Sequence, residues 1–286
     1  VQGFTIAPRG IVILELPARN VEGTRVESLA YRLVSNSPLT AYQFNPLENV
    51  EVFSNDASLL LPTSTAGTDY WMMTREQTFD DLKGFVTVVG ISKEPVEVTV
   101  TVSTKTLPGD GIPGMRAGDT YTTRLSAYEV LNIETNQIGA DLTGSRVQAE
   151  GPVLVFGGSE ASNAPNTNRC NLETGRCEFD ESILCGCEDG DLDCSPHIPC
   201  TTSALITCCA DHLEQQLFPV ETWGRRYLAV RSVQRGAEQE LWRVLAREDD
   251  TTITFSNDVH PPVTLNAGAW IEFQTNKDFL VEATSP

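Results

Sequence analysis

Short apolar runs, separated by glycine, proline and polar turns, recur along the whole chain. Residues 96–103 alternate Val with polar side chains, which is the period-two pattern of a half-buried strand. Residues 153–156, Val-Leu-Val-Phe, lie between a Gly-Pro pair and a Gly-Gly pair, as is typical of a fully buried strand. Helical periodicity is confined to one short segment, residues 210–217. The pattern therefore predicts an all-β fold.

The same pattern makes local predictions for individual segments. Residues 10–16 are almost entirely apolar and predict a strand. Residues 85–90 and 96–103 are joined by a short polar turn that contains Pro95, and they predict a hairpin. Residues 210–217 predict a helix of about two turns, with Asp211 accepting hydrogen bonds from the first free backbone N–H groups.

Several elements occur twice in the same order, which indicates an internal repeat. Pro38 precedes an apolar run as Pro152 does, and residues 279–286 resemble the segment that leads up to Pro152. The spacing is domain-sized, well beyond the roughly 20–50 residues of solenoid repeats. We therefore predict two tandem β-sandwich modules, residues 1–150 and 151–286. Further matches, each 157 residues apart, are Pro62 with Pro219, Gly67 with Gly224 and Tyr70 with Tyr227.

Composition narrows the classes of partner. The chain has 286 residues and a net charge of −19 at pH 7. Nucleic acids and anionic membranes attract basic surfaces, so both are disfavoured, whereas divalent cations and basic protein surfaces are compatible. No apolar run reaches the roughly 18–20 residues that a membrane-spanning helix needs. The sequence has no Asn-X-Ser/Thr sequon, which favours a bacterial over a vertebrate extracellular protein.

All eight cysteines fall in one polar segment. An even number of clustered cysteines predicts a local disulfide framework and an oxidising compartment. The surrounding segment, residues 161–210, is expected to be an insert in the second module that disulfides must hold, since it is too polar to build a core. Zinc binding is the less favoured alternative, because no Cys-X2-Cys pair is present. The cysteines are Cys170, Cys177, Cys185, Cys187, Cys194, Cys200, Cys208 and Cys209.

The insert also contains an acidic loop around Gly190. Its acidic residues are Glu188, Asp189, Asp191 and Asp193. A solvated loop is the favoured interpretation, and a calcium site is the alternative, because calcium takes several carboxylate and carbonyl oxygens from a flexible loop. The loop is not an EF-hand, since the bidentate Glu at its twelfth position is missing. No cofactor other than calcium is predicted.

Catalytic chemistry has little support in the sequence. Ser159, Asp211 and His212 are conceivable members of a Ser/His/Asp site, but the nucleophile elbow G-x-S-x-G is absent. A structural role for Asp211 and His212 is favoured, and we predict that the protein is not an enzyme. The tryptophans are expected in strands and are assigned to core packing rather than to a ligand site. They are Trp71, Trp223, Trp242 and Trp270.

Longer motifs carry a resemblance to one known family. They include DLTGSRVQAEGPVLVFGGSE at residues 141–160 and CCADHLEQQLFPVETWG at residues 208–224. The chain resembles the N-terminal domain family of the IgG-Fc-binding protein, whose relatives occur in large secreted or surface proteins, including bacterial ones. The resemblance implies an extracellular, non-catalytic binding or adhesive module. Ala161 stands where related sequences often have Cys, so the partner of Cys209 is expected to come from the insert.

The sequence thus predicts a binding or adhesion module of a secreted or cell-surface protein. Its partner would be an extracellular protein or glycan. The alternative is a self-assembling subunit of a surface fibre or layer, whose partners are copies of itself, because repeated sandwiches have edge strands that can pair between chains. Neither nucleic acid binding nor membrane insertion is expected.

Overall fold

The computed structural model describes residues 3–45, 54, 56–163, 170–171, 176–177, 210–234 and 239–286. Eighteen strands and two short 3-10 turns, Thr63–Thr65 and Val220–Thr222, lie within these residues, which confirms the all-β prediction. No helix among them is long and apolar enough to cross a membrane. The strands are β1 (Arg25–Ser28), β2 (Ala41–Asn45), β3 (Asp56–Leu60), β4 (Gly67–Trp71), β5 (Gly84–Gly90), β6 (Val96–Thr101), β7 (Thr120–Leu125), β8 (Glu129–Glu134), β9 (Arg146–Ser162), β10 (Cys170–Asn171), β11 (Arg176–Cys177), β12 (Asp211–Gln216), β13 (Arg226–Ala229), β14 (Glu240–Leu245), β15 (Thr251–Phe255), β16 (Val263–Leu265), β17 (Trp270–Thr275) and β18 (Phe279–Ala283).

The long strand β9 organises the first strand group, which consists of β1, β4–β9 and β12. The first half of β9 pairs with β4 on one side and β6 on the other. Its second half, from Val153 onward, pairs with β5 and β12. β8 and β1 continue the sheet beyond β5, and β7 continues it beyond β6. Every one of these pairs is antiparallel, so β9 joins two stretches of sheet into one unit.

Buried side chains at alternate positions of β9 explain why this strand lies at the centre of the sheet. Val147, Val153 and Val155 are completely buried and face the first core, which also contains Val86 and Val88 of β5. Burying each of these side chains contributes about 1.5–3 kcal/mol before the entropy of ordering is counted.

The Gly-Gly pair at the end of the apolar run has a steric role. A Cβ placed on Gly158 would lie 2.0 Å from the Leu213 carbonyl oxygen and 2.7 Å from the Phe85 ring. Glycine at this position therefore allows β12 and Phe85 to approach β9 closely.

The second strand group, β13–β18, surrounds a separate second core. The order β13-β18-β15-β16 forms one sheet, and β14 pairs with β17. Phe279, Val281 and Ile253 are buried at the centre of this core. Trp242 of β14 meets Phe279 edge to face, with ring centroids 5.1 Å apart. Aromatic and β-branched side chains on alternate positions of these strands therefore supply the second core.

Two turns in the chain share one hydrogen-bonding pattern. In the first, the Gly67 N–H donates to Tyr70 Oη at 2.8 Å and Thr65 Oγ1 donates to the Pro62 carbonyl at 2.8 Å. In the second, the Gly224 N–H donates to Tyr227 Oη at 2.7 Å, and Thr222 makes the corresponding bond to the Pro219 carbonyl at 2.8 Å. A 3-10 turn lies inside each. The same residue types therefore build the same local structure 157 positions apart.

Three local predictions are wrong. Residues 210–217 contain a strand, β12, and not a helix, because their backbone pairs with the second half of β9. Residues 85–90 and 96–103 do not form a hairpin, since β5 and β6 both pair with β9 along successive stretches. Residues 10–16 form no strand, and the Ile11 side chain is 93% exposed. In the first two cases the structure depends on pairing with the distant strand β9, and sequence periodicity does not predict such pairing.

The predicted module boundary between residues 150 and 151 falls inside β9. Most of the predicted insert, residues 161–210, lies outside the described residues. The exceptions are the ends of the segment and the two short strands β10 and β11, which pair with each other. The division into two sandwich modules and the disulfide-held insert stay predictions.

Candidate binding cleft between the two cores

A shallow apolar cleft lies where the two strand groups meet. Its volume is about 180 Å³. The first strand group contributes the end of β4 and the two residues that follow it, the turn after β12 adds three more side chains, and β14 supplies its last residue. The lining residues are Trp71, Met72, Met73, Leu217, Phe218, Trp223 and Leu245.

Hydrogen bonds to backbone carbonyls hold the walls of the cleft in place. The Met72 N–H donates to the Ser145 carbonyl at 2.8 Å, which extends the pairing of β4 with β9 by one residue. The Leu217 N–H donates to the Val155 carbonyl at 2.8 Å and holds the chain after β12 against β9. The Trp223 indole N–H donates to the Phe218 carbonyl at 3.3 Å. The cleft is therefore built on paired strands and a hydrogen-bonded turn.

Two glycine turns pack against each other beside the cleft. Gly144 and Gly268 both have a positive φ, +86° and +78°. A Cβ on Gly268 would lie 2.6 Å from the Trp71 ring, and a Cβ on Gly144 would lie 2.5 Å from the Gly268 carbonyl oxygen. Glycine is required at both turns by conformation and by space, and this close contact sets the position of Trp71.

A charged pair borders the cleft. Arg146 donates two hydrogen bonds to Asp69, at 2.8 and 2.7 Å, and its guanidinium lies 5.1 Å from the centre of the Trp71 ring. The hydrogen bond to Asp69 raises the pKa of Arg146 above its ordinary value. The Arg146 side chain is 36% exposed, so a positive group remains accessible next to an aromatic face.

A buried ion cluster joins the two strand groups next to the cleft. Arg243 of β14 donates to Asp141 at 2.7 Å and to Glu272 of β17 at 2.7 Å. Arg75 also binds Glu272 and approaches Glu76 at 3.4 Å. All five side chains are buried. The indole of Trp270 covers the Arg243 guanidinium at 4.3 Å.

Asp141 and Arg243 stay ionised because each has partners of opposite charge. Burial alone would raise the pKa of Asp141, but Arg243 and hydrogen bonds from Thr143 outweigh burial and lower that pKa to about 2. Burial alone would lower the pKa of Arg243, but Asp141 and Glu272 outweigh it and raise that pKa. Asp141 and Arg243 therefore carry opposite charges at every pH above about 4.

The residues considered for catalysis are engaged in other contacts. The Ser159 hydroxyl donates to the Ala161 carbonyl at 3.2 Å. The His212 ring contacts the Glu160 carbonyl at 3.1 Å and Glu214 at 3.7 Å. Burial would lower the pKa of His212, but Glu214 and the Glu160 carbonyl raise it. Asp211 bonds to Ser54 and begins a strand, so its predicted role as a helix cap is wrong.

The predicted disulfide and calcium residues lie almost entirely outside the described residues. Cys170 and Cys177 are the exceptions, and their backbones are register partners in the β10–β11 pair. The other six cysteines are not described, nor are Glu188, Asp189, Asp191 and Asp193. No group of three or more His, Cys, Asp or Glu side chains suited to a metal is found within the described parts of the chain.

Neither the cleft nor the ion cluster is predicted by the sequence, although some of the residues that form them are unusual in it. The sequence predicts core packing for Trp71 and Trp223, but both line the cleft. Trp242 does pack against the second core, as predicted. Arg243 lies among apolar residues of a strand. A charged residue in such a position is expected to be buried and to have a partner of opposite charge. Nothing in the sequence shows that its partner is Asp141, because the two are 102 residues apart.

Comparisons with known proteins identify the family. The family described as IgGFc binding protein matches residues 56–174 and 194–286. The IgGFc-binding protein of Homo sapiens is 24% identical over 276 residues, which cover 94% of this chain and 4% of that protein. This relative gives no support to the bacterial source that the missing sequon suggested. No solved structure matches. Because the family match extends over more than half of the chain, the chain belongs to the IgGFc binding protein family.

Proposed function

We propose that the protein is an extracellular binding module, without chemistry of its own, that holds a protein partner in the cleft between its two cores. Membership of a family named for binding suggests the class of function. The composition of the cleft carries the proposal for the site. Two Trp, two Met, one Phe and two Leu side chains line it. Aromatic and Met side chains are the types enriched at protein interfaces.

The size of the cleft suggests what it accepts. A volume of about 180 Å³ exceeds the roughly 150 Å³ of an apolar cavity that binds benzene. One aromatic or large aliphatic side chain of a partner would therefore fill it. Such a buried anchor supplies much of the affinity of an interface, while surrounding polar groups give orientation. The Asp69–Arg146 pair is placed to supply that polar rim, and Arg146 offers a charge for an acidic group of the partner.

The proposal includes two tandem sandwich modules and an insert held by disulfides. The two turns with identical hydrogen bonds support two tandem sandwich modules related by a repeat. The register of Cys170 opposite Cys177 is compatible with a disulfide framework in the insert. Disulfides persist in oxidising compartments, so this framework accords with the proposed extracellular location. The acidic loop around Gly190 remains a candidate calcium site.

Surface plasmon resonance tests the cleft directly. The chain is passed over immobilised human IgG Fc fragment, since the human relative is named for binding it, and over a panel of extracellular glycoproteins. Phe218→Ala and Trp223→Ala are expected to weaken any specific binding at least tenfold, because each removes a wall of the cleft. Val233→Ala, which changes an exposed apolar residue outside the cleft, is the matched control. Binding that both cleft variants leave unchanged would contradict the proposal.

The alternative function, a self-assembling subunit of a fibre or layer, has one observation in its favour. β13 pairs with β18 alone among the described strands, and Leu228 and Val230 on and beside it are 73% and 61% exposed. Apolar edge strands favour pairing between chains. Light scattering across a concentration series, with and without calcium, tests this function. A constant monomer mass would rule it out, and a mass that changes with calcium would direct attention to Asp189, Asp191 and Asp193.

A further inference from the structure

Strands β10 and β11 place two cysteines opposite each other. Cys170 is the register partner of Cys177, and Asn171 is the register partner of Arg176. Residues directly opposite each other in an antiparallel pair have Cα atoms about 4.5–5.5 Å apart. The Cα atoms of disulfide-bonded cysteines are usually about 4.4–6.8 Å apart. The backbone of the pair therefore allows a disulfide between Cys170 and Cys177 without any movement of the strands.

The β10–β11 pair needs a further link to be stable. Each strand has only two residues, and the two strands form a sheet of their own that includes no other strand of the described chain. An isolated two-stranded hairpin is marginally stable at best in water. A covalent bond between its strands restricts the open state and so favours the paired one. A disulfide at this register therefore supplies the stability that the few hydrogen bonds of the pair lack.

The distribution of cysteines also favours a bond across this hairpin. The family match ends at residue 174 and resumes at residue 194. The residues between these limits contain three cysteines, Cys177, Cys185 and Cys187. The total of eight cysteines allows complete pairing, and a group of three must then form at least one bond to a cysteine outside it. Cys170 lies outside this group and is the cysteine nearest in sequence to Cys177.

The remaining six cysteines can pair without Cys170 and Cys177. Cys208 and Cys209 are adjacent in sequence. Consecutive Cα atoms are about 3.8 Å apart, which is below the usual range for a disulfide, so these two are expected to have different partners. Both partners then come from the four cysteines between residues 185 and 200, and the other two of those four bond to each other. No cysteine is left over when Cys170 bonds to Cys177.

From the register, the isolation of the hairpin and the distribution of cysteines, we propose that Cys170 and Cys177 form a disulfide bond. The bond forms by exchange with a disulfide oxidant of the compartment. The thiolate of one cysteine attacks that disulfide and releases one thiol, and the thiolate of the other cysteine then attacks the mixed disulfide and releases the second thiol. The two cysteines lose two protons and two electrons in total, and the oxidant gains them as two thiols.

The bond rests on the oxidising, extracellular location in the proposed function, and on no other part of it. Disulfides persist in such a compartment, whereas the cytosol keeps thiols reduced. The bond requires neither the cleft nor a binding partner, so it can be measured on the chain alone. Failure of the binding test at the cleft would leave the bond unaffected, and a different pairing of Cys170 would leave the cleft unaffected.

Peptide mapping of the unreduced chain tests the bond. The chain is purified from the medium of cells that secrete it, its free thiols are blocked with N-ethylmaleimide at acid pH, and it is cut with trypsin and with a protease that cuts before Asp. Each of the two cysteines then lies on its own peptide, residues 170–176 and 177–179. Mass spectrometry should find these peptides joined, and reduction should abolish the joined species. Either peptide joined to another cysteine, or carrying the blocking group, would overturn the proposal.

Single substitutions identify the bonded partner independently. Cys170→Ser should leave one free thiol, and maleimide labelling should find it on the peptide of residues 177–179. Cys185→Ser is the matched control, because it frees a different thiol and should leave the two peptides of the hairpin joined. Label on any other peptide in the Cys170→Ser variant, or loss of the joined peptides in the control, would contradict the bond. Should the Cys170→Ser variant fail to be secreted, the peptide map of the unmodified chain still decides.

Discussion

At the residue scale, single glycines hold the two strand groups at their present separation. Gly268 and Gly118 occupy similar turns, and both have a positive φ, +78° and +89°. They differ in surroundings, since a Cβ on Gly268 would meet the Trp71 ring at 2.6 Å and a Cβ on Gly118 would meet nothing within 4 Å. Substituting Gly118 therefore tests the cost of backbone conformation alone, and substituting Gly268 tests that cost together with the cost of close packing.

Alanine substitution tests this distinction. Gly118→Ala should lower the free energy of unfolding by about 1–2 kcal/mol, the cost of a left-handed conformation. Gly268→Ala should lower it by about 2–5 kcal/mol, because displacing Trp71 adds about 1–3 kcal/mol. Urea unfolding followed by circular dichroism measures both values. Equal losses in the two variants would show that the contact with Trp71 is readily relaxed.

Asp141 predicts a specific dependence of stability on pH. Its pKa is about 2 in the folded protein and about 4 in an unfolded chain, so the carboxylate stabilises the fold above pH 4. That contribution, about 2–3 kcal/mol, is lost as the pH falls from about 4 to 2. Asp141→Asn should be less stable at pH 7, and its stability should fall less steeply over that interval. The comparison requires urea unfolding of both proteins at several pH values, and identical slopes would contradict the assignment.

At the element scale, β12 shows how side chains protect a strand edge. One edge of β12 pairs with β9, and N–H groups on the other edge donate to side chains next to and on β3. The His212 N–H donates to Ser54 Oγ at 2.6 Å, and the Gln216 N–H donates to Ser58 Oγ at 3.2 Å. The Glu214 N–H donates to Asp56 Oδ2 at 2.6 Å. Side chains on and next to β3 thus accept hydrogen bonds from every second N–H group of β12. This edge of β12 therefore has no free donors for a further strand.

Removing one of these acceptors has a predictable cost. Ser58 is buried, so Ser58→Ala should leave the Gln216 N–H without a partner and lower the free energy of unfolding by about 1–3 kcal/mol. Ser232→Ala, at an exposed position, should change it by less than about 0.5 kcal/mol. Thermal unfolding compares the two. A loss at Ser58 no larger than at Ser232 would mean that water replaces the hydroxyl.

Sequence reasoning succeeded where structure is local and failed where it depends on distant partners. The apolar run after Pro152 follows from residue types within a few positions, and it is found as part of strand β9. β12 carries a helical sequence but becomes a strand, because the free edge of β9 outweighs its weak helical propensity. The cleft could not be predicted, since its lining comes from three separate segments. Residue spacing also does not predict that Arg243 and Asp141 form an ion pair.

At the scale of the whole molecule, the buried ion cluster links the two strand groups, in addition to the contact between the Gly144 and Gly268 turns. Arg243 neutralises Asp141 of the first strand group and Glu272 of the second. Removal of one partner from a buried cluster leaves uncompensated charge, whereas an exposed pair contributes little. The linkage between the cores should therefore depend on Arg243 more than on any exposed ion pair.

Differential scanning calorimetry measures that linkage. Arg243→Ala should lower stability by about 3–5 kcal/mol and split a single transition into two, as the cores unfold separately. Arg226→Ala is the control, because the Arg226–Glu282 pair is largely exposed, and it should change stability by less than about 1 kcal/mol. A single transition in the Arg243 variant would show that apolar contacts alone couple the two cores.

The shared strand β9 has a mechanical consequence. Its ladder bonds run across the strand and are present on both flanks, with β4 and β12 on one side and β6 and β5 on the other. A tensile load along β9 must shear many of these bonds at once. β13 is bonded to a single neighbour among the described strands, so a load applied there peels it away one residue at a time. Under stretching, the second strand group should yield first and the first group should act as the anchor.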